Sequence, residues 1–223
     1  MPRAAVVLLS GGMDSAVSLA WAQREGFAAH ALTIAYGQRH GIEVDRAAKL
    51  AAAMRAVSHR IVTIDLSFLA GSALTDPTVA VPKDRSEAAI AEGVPVTYVP
   101  ARNAMFLTIA LGWAESLGAR DLVIGVNAVD YSGYPDCRPG FLSAFEALAR
   151  QGTKAGAGGE AWRVHAPLLA LSKAEIVRLA RSWGVPLDLT LSCYDPGPDG
   201  RPCGACDACL LREKGFREAG AAD

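Results

Sequence analysis

The chain has 223 residues, 51% of them hydrophobic, and its 22 Lys and Arg almost balance 23 Asp and Glu, for a net charge of −1. That length fits one domain with an appendage, and the apolar fraction is ordinary for a globular core. The charge balance withholds the basic surface that long nucleic acids select, so a small-molecule substrate is favoured and no direct nucleic-acid partner is expected.

The first residues run straight into a strand without a basic-then-apolar leader, and no apolar run reaches the ~20 residues of a membrane span, so a soluble, cytoplasmic protein with no membrane partner is expected. The opening strand, from Ala4 to Leu9, stops at Ser10-Gly11-Gly12-Met13-Asp14-Ser15, where a helical pattern begins. A buried strand feeding a glycine turn and a helix N-terminus is a phosphate-binding arrangement. Gly11 and Gly12 bring bare N–H groups close to an anion, the helix adds its positive dipole end, and Ser10 and Ser15 add hydroxyls. The first lysine of the chain is Lys49, so this is not a Walker loop, and the dinucleotide Gly-x-Gly-x-x-Gly spacing is missing too. A turn with no ligand is the plain alternative, but an Asp and two Ser around it exceed what a turn needs.

Taken in order, Ser15 to Arg24 reads as a helix ended by Gly26, and Ala28 to Ala35 as a second strand. That strand delivers Tyr36-Gly37-Gln38-Arg39-His40 to the carboxyl edge, where ligands of open α/β sheets bind. Ile42 to Met54 is helical in pattern, and His59 to Leu66 is a third strand. From Leu69 to Arg102 periodicity fails, apart from a short helical piece opened by Asp84-Arg85-Ser86-Glu87, and the stretch reads as a lid. Val99-Pro100-Ala101-Arg102-Asn103 precedes an apolar helix from Ala104 to Leu117 and forms a second anion-friendly corner.

Asp121 to Val126 is a fourth strand, delivering Asn127 and the polar, aromatic segment Asp130-Tyr131-Ser132-Gly133-Tyr134-Pro135-Asp136-Cys137-Arg138. Gly152 to Gly159 reads as a flexible surface turn and Arg163 to Leu168 as a fifth strand. Ser172-Lys173-Ala174-Glu175 has capping-box spacing and opens a helix that runs to Trp183. The expected fold is α/β, a doubly wound parallel sheet of about five strands, with residues 1–185 as the main domain and 186–223 as a small C-terminal zinc-binding appendage.

Four of the five cysteines, Cys193, Cys203, Cys206 and Cys209, follow the spacing C-x9-C-x2-C-x2-C. In a reducing compartment such clustering points to metal, and four thiolates on short loops suit one closed, structural Zn²⁺. An iron–sulfur cluster competes for the same ligands, and a dithiol redox pair would leave two of them unused. Cys137 stands apart, as a small buried hydrophobe or else a nucleophile.

Ser-Gly-Gly-Met-Asp-Ser resembles the pyrophosphate loop of the ATP-pyrophosphatase families. With Tyr36-Gly-Gln-Arg-His40, Val99-Pro-Ala-Arg-Asn103, Tyr131-Ser-Gly-Tyr-Pro-Asp-Cys-Arg138, Pro167 to Lys173 and the cysteine tail in this order, the chain resembles the 7-cyano-7-deazaguanine synthases of queuosine biosynthesis over nearly its full length. Ala101 departs from the pattern, where glycine is more usual. The resemblance implies a ligase that converts 7-carboxy-7-deazaguanine and ammonia to 7-cyano-7-deazaguanine, adenylating first the carboxylate and then the amide, with Mg²⁺ accompanying ATP. It also implies a homodimer. At this length there is no room for a glutaminase, so free ammonia or a separate partner supplies nitrogen.

Nucleotide contacts are expected along Leu8, Leu9, Ser10, Gly11, Gly12, Met13, Asp14, Ser15, Ala16, Val17 and Ser18. Asp14 is expected near Mg²⁺, with Arg39, Arg102 and Lys173 as the catalytic cations facing phosphate or carboxylate. Tyr36, Gln38, Arg39, Asn127, Asp130, Tyr131, Tyr134 and Asp136 are expected around the base, Asp130 or Asp136 accepting from its N–H edge. Two alternatives stand beside this reading. One is a tRNA thiolase of the same loop family, which wants a basic surface and a persulfide cysteine. The other is a zinc-ribbon binding module, which has no need of the glycine turn.

Overall fold

Five short segments, the central ones apolar, meet edge to edge in the computed structural model, which describes residues 2–38, 41–90, 92–127 and 133–223. Strands β1 (Ala4–Leu8), β2 (Ala28–Ala35), β3 (Ser58–Thr63), β4 (Asp121–Val123) and β5 (Arg163–His165) form one sheet in the order β3-β2-β1-β4-β5, every neighbouring pair parallel. The described helices are α1 (Met13–Arg24), α2 (Ile42–Ala53), α3 (Glu87–Ile90), α4 (Arg102–Ser116), α5 (Pro139–Gly152), α6 (Lys154–Ala157), α7 (Lys173–Ser182) and α8 (Asp207–Glu218).

Parallel strands need crossover connections, which cover both faces of the sheet and make its strands continuously apolar. Side chains alternate along β1. Ala5, Val7 and Leu9 join α1, α2 and α7 in one apolar cluster, while Val6 and Leu8 join α4 and α5 in another. Strand order reverses between β1 and β4, which opens the crevice at their carboxyl ends where such folds hold ligands. Two glycines make that crevice. Gly11 has φ +91°, and a Cβ on it would lie 2.5 Å from the Glu43 carbonyl oxygen, while one on Gly125 would lie 3.0 Å from the Asp14 backbone. Loop, α2 and the end of β4 therefore pack backbone to backbone. Among the described residues, no helix is long and apolar enough to cross a membrane.

The expected doubly wound sheet is present, and β2 has the expected bounds; β3, β4 and β5 end earlier than expected. The stretch from Gly152 to Gly159 is not a flexible turn. Thr153 caps α6, accepting from Gly156 N–H at 3.0 Å and from Trp162 Nε1 at 2.9 Å, and Trp162 is fully buried. Residues 69–102 are not a free flap either. Lys83 forms an antiparallel bridge with Cys206, Asp84 N donates to Ala205 O at 2.8 Å, and Arg85 pairs with Asp207, Nε to Oδ1 at 3.0 Å. That stretch is bolted to the cysteine segment through its middle. Helix α8 in turn lies along α7 and sends Phe216 into the cluster shared with α1.

Candidate active site

At the end of β1 the chain passes through Ser10, Gly11 and Gly12 into α1. Gly12 is the N-cap and has no side chain to offer the first-turn N–H groups, which leaves them for an anion. Ser15 holds the turn in shape: its hydroxyl accepts from Ser10 N and Ser10 Oγ, both at 3.1 Å, and donates to Gly12 O at 2.9 Å. The Gly11 carbonyl accepts from Leu191 N at 2.9 Å, so the far end of the chain closes one side. Lys173, first residue of α7, reaches Asp14 with Nζ to Oδ2 at 2.6 Å. A true capping box at Ser172 and Glu175 fixes where α7 starts and hence where this lysine emerges. The other Asp14 oxygen, Oδ1, is buried with no hydrogen-bond partner among the described residues. A buried carboxylate oxygen facing an anion site is the donor a hard cation such as Mg²⁺ takes, so the residues present fit that ion.

Above the turn lies a cavity of about 310 Å³. It brings together Leu8, Leu9, Ser10, Gly12, Met13, Asp14, Ser15, Tyr36, Gln38, Arg102, Asn127, Tyr134 and Lys173 from the residues expected at the site. Gly11 turns toward α2 instead, and Ala16, Val17 and Ser18 are wholly buried in the body of α1, outside the lining. Asp136 is also outside. Its carboxylate accepts from Asn103 N at 3.0 Å and serves the N-terminus of α4, so it does not present itself to a base edge. Arg39, Asp130 and Tyr131 lie outside the described residues.

One wall is aromatic and cationic. The Arg102 guanidinium carbon is 6.0 Å from the ring centroids of both Tyr36 and Phe106, which are 5.3 Å apart. Burial works against the Arg102 charge, but the phenols of Tyr36, Tyr134 and Tyr194 outweigh it and the guanidinium stays ionised. Tyr134 is anchored through its hydroxyl to Thr97 Oγ1 at 2.7 Å. Gln38 folds its amide oxygen back to accept from Tyr36 N at 2.7 Å. A flat heterocycle between rings, with its acidic group on Arg102, is what such a wall holds.

Sequence reasoning missed Glu43. It lines the cavity, and burial pushes its carboxyl up to about 7 despite the opposing pull of Arg102. Tertiary packing alone makes it a site residue; a glutamate in the first turn of a helix carries no such signal. Also missed were Leu191, Ser192, Tyr194, Ala208 and Leu211, which flank the cysteines and form the far wall. Cys137 lines the cavity as a buried thiol. Burial pushes it up to about 11, and Asn103 Nδ2 donates to its sulfur at 3.4 Å.

The four remaining cysteines converge, with all sulfurs within 4.8 Å of one another. Cys206 Sγ is 3.6 Å from Cys209 Sγ and 4.0 Å from Cys193 Sγ, bracketing the ~3.8 Å edge of a tetrahedron with ~2.3 Å metal–sulfur bonds. Backbone N–H groups already point at the sulfurs: Tyr194 N to Cys206, Asp195 N and Cys203 N to Cys193, and Cys206 N to Cys203, at 3.2–3.5 Å. Donors of that kind stabilise thiolates, the form in which cysteine binds a metal. The set fits a closed four-sulfur metal site.

A family model described as "Queuosine biosynthesis protein QueC" matches residues 4–220. The 7-cyano-7-deazaguanine synthase of Anaeromyxobacter sp. (strain Fw109-5) is 61% identical over 221 residues, covering 99% of this chain and 94% of that one. The protein of the same name from Frankia casuarinae is 58% identical over 224 residues, covering 100% and 93%. Among solved structures, a 4-thiouridine synthetase in complex with RNA and bound ATP aligns with a TM-score of 0.52 at 22% identity, over 98% of this chain and 50% of that one; the likeness is one of fold.

Proposed function

The chain belongs to the queuosine biosynthesis protein QueC family, and from that premise we propose that it is an ATP-dependent ligase making 7-cyano-7-deazaguanine from 7-carboxy-7-deazaguanine and ammonia. The observation that carries this reading is the uncapped start of α1 with Lys173 and the unpartnered Asp14 oxygen beside it. Open N–H donors, one lysine and a cation position are what a departing pyrophosphate requires.

Ser10, Gly12 and Ser15 then grip the β and γ phosphates, with Gly11 setting the turn, while the substrate carboxylate oxygen attacks the α phosphorus. Asp14 would hold Mg²⁺, which when bound would supply shielding of the phosphate charge. Lys173 moves from Asp14 to the phosphates, and Arg102, with Arg39 as a further cation, orients the carboxylate. Tyr36, Gln38, Asn127, Tyr131 and Tyr134 surround the heterocycle, and Asp130 accepts from its N–H edge. Ammonia displaces AMP to give the amide. A second adenylation, on the amide oxygen, turns that oxygen into a leaving group and the nitrile follows, so two ATP are consumed. Most of the catalysis is alignment and charge neutralisation.

Cys193, Cys203, Cys206 and Cys209 hold Zn²⁺, whose role is to fix the 186–223 appendage as the far wall of the pocket in the 1–185 domain. The working form is a cytoplasmic homodimer. A thiolase reading needs a reactive sulfur, and the spare thiol, Cys137, is buried and held in its neutral form. The test is incubation with ATP, Mg²⁺, ammonium and the carboxylate. Nitrile by mass together with AMP is expected; ADP, or an untouched carboxylate, overturns the reading.

A further inference from the structure

Conversion of a carboxylate to a nitrile by ammonia removes protons from one nitrogen at two stages, and a positioned base is needed near the carbon that carries it. Among the described residues lining the cavity, the carboxylates are Asp14 and Glu43. Asp14 is held by Lys173 at 2.6 Å and belongs to the phosphate end. Glu43 lines the same cavity, and Arg102 and Tyr36 are the groups that interact with it electrostatically. Its own backbone carbonyl is pressed under Gly11, so α2 is fixed against the turn and the side chain emerges where Arg102 and Tyr36 face it. These are the charged and titratable groups that act on it among the described residues. If Arg102 holds the substrate carboxyl, the Glu43 carboxylate lies beside the atom that reacts.

Resting on the functional reading above, we infer that Glu43 is the general base for nitrogen, taking a proton from the incoming amine when the amide forms and from the adenylated amide when the nitrile forms. In the first stage the nitrogen lone pair makes the N–C bond and the C–O bond to AMP breaks, its electron pair leaving on AMP; the surplus N–H proton goes to the Glu43 carboxylate. In the second, the adenylated amide nitrogen, which carries two hydrogens, first gives one proton to solvent to become the neutral imidate; the remaining N–H pair then becomes the last bond of C≡N as the C–O bond to AMP breaks, and that proton goes to Glu43. Neither stage changes an oxidation level, and solvent resets the base between them. Burial pushes the Glu43 carboxyl up to about 7 while Arg102 pulls the other way, so near neutral pH a substantial share of the group is ionised and basic enough to accept a proton.

The experiment uses the full-length, metal-loaded protein and the variants Glu43→Gln and Glu43→Asp. Carboxylate-dependent exchange of pyrophosphate into ATP reports adenylation alone. Ammonium and hydroxylamine are compared as nucleophiles, since hydroxylamine is the weaker base and is already neutral at pH 7. For Glu43→Gln, exchange and hydroxamate formation should stay within about twofold of the parent, while amide formation from ammonium and nitrile formation from added amide each fall about 10²–10⁴-fold. Glu43→Asp should recover part of both. The acidic limb of kcat/KM, expressed per free NH3 so that titration of ammonium itself is removed, should disappear in Glu43→Gln. Equal loss of exchange, hydroxamate and amide makes Glu43 a scaffold or nucleotide residue and overturns the inference, as does an unimpaired ammonium reaction. A parent protein that shows no exchange with the carboxylate sinks the functional reading itself, and is recognised before any variant is compared.

Discussion

At the glycine turn and at the cysteine cluster the chain uses one device, backbone N–H groups aimed at negative charge, but leaves the donors in opposite states. In the turn the cap position is Gly12, no side-chain cap bond closes the start of α1, and among the described residues one buried Asp14 oxygen has no hydrogen-bond partner. In the cluster, four N–H groups already rest on sulfur. Open donors suit a charge that arrives and leaves; filled donors suit a charge that stays. The first arrangement costs stability and is bearable only because the second, a few residues away, holds the surroundings still.

The comparison breaks most sharply if the permanent charge is removed. Cys206→Ser, or chelation of the metal, should cost about 3–5 kcal/mol and lower the melting temperature by roughly 10–15 °C, with loss of bound metal. Retained metal and an unchanged melt by calorimetry would show that the cluster is not structural. Asp14→Ala should do the reverse, cutting AMP formation by about a thousandfold with the melt lowered by only a few degrees, because loss of the Lys173 pair is partly offset by removal of a buried, orphaned oxygen. A quenched-flow AMP assay beside the same calorimetry checks it.

The join between the two regions can be tested at Gly215. A Cβ there would stand 2.9 Å from Lys173 Cβ, so Gly215→Ala should displace the lysine and lower kcat on the order of tenfold, with metal content unchanged. Parent-level kcat would mean that α8 does not position Lys173. The smallest effect belongs to Ala101, which occupies the left-handed region at φ +54° as N-cap of α4. Ala101→Gly should raise stability by about 0.5–1 kcal/mol, or roughly 2–3 °C, without touching activity. The glycine more usual in the motif at this position now has its backbone reason.

What the sequence disclosed was whatever its spacing encodes locally. The strand-to-turn change at Ser10, the bounds of β2, the capping box at Ser172 and the convergence of Cys193, Cys203, Cys206 and Cys209 all follow from near neighbours in the chain. Helix α5 carried its signal in Leu142, Phe145 and Ala149 and was passed over beside the polar segment that precedes it. Helix α8 was harder to see, since Cys209 and Phe216 are almost its only apolar anchors among Arg, Glu and Lys. Glu43 and Asp136 exchanged expectations for a different reason. Which carboxylate faces a cavity and which ties down a helix is decided by segments that meet only after folding, and no local pattern marks it.

The Gly11 carbonyl is satisfied by Leu191, so the opening turn of the chain acquires its last partner from a residue near the opposite end. A ribosome must deliver almost the whole polypeptide before that bond can close. Until residue 191 has been made, a nascent chain lacks that bond and the segment that closes one side of the turn.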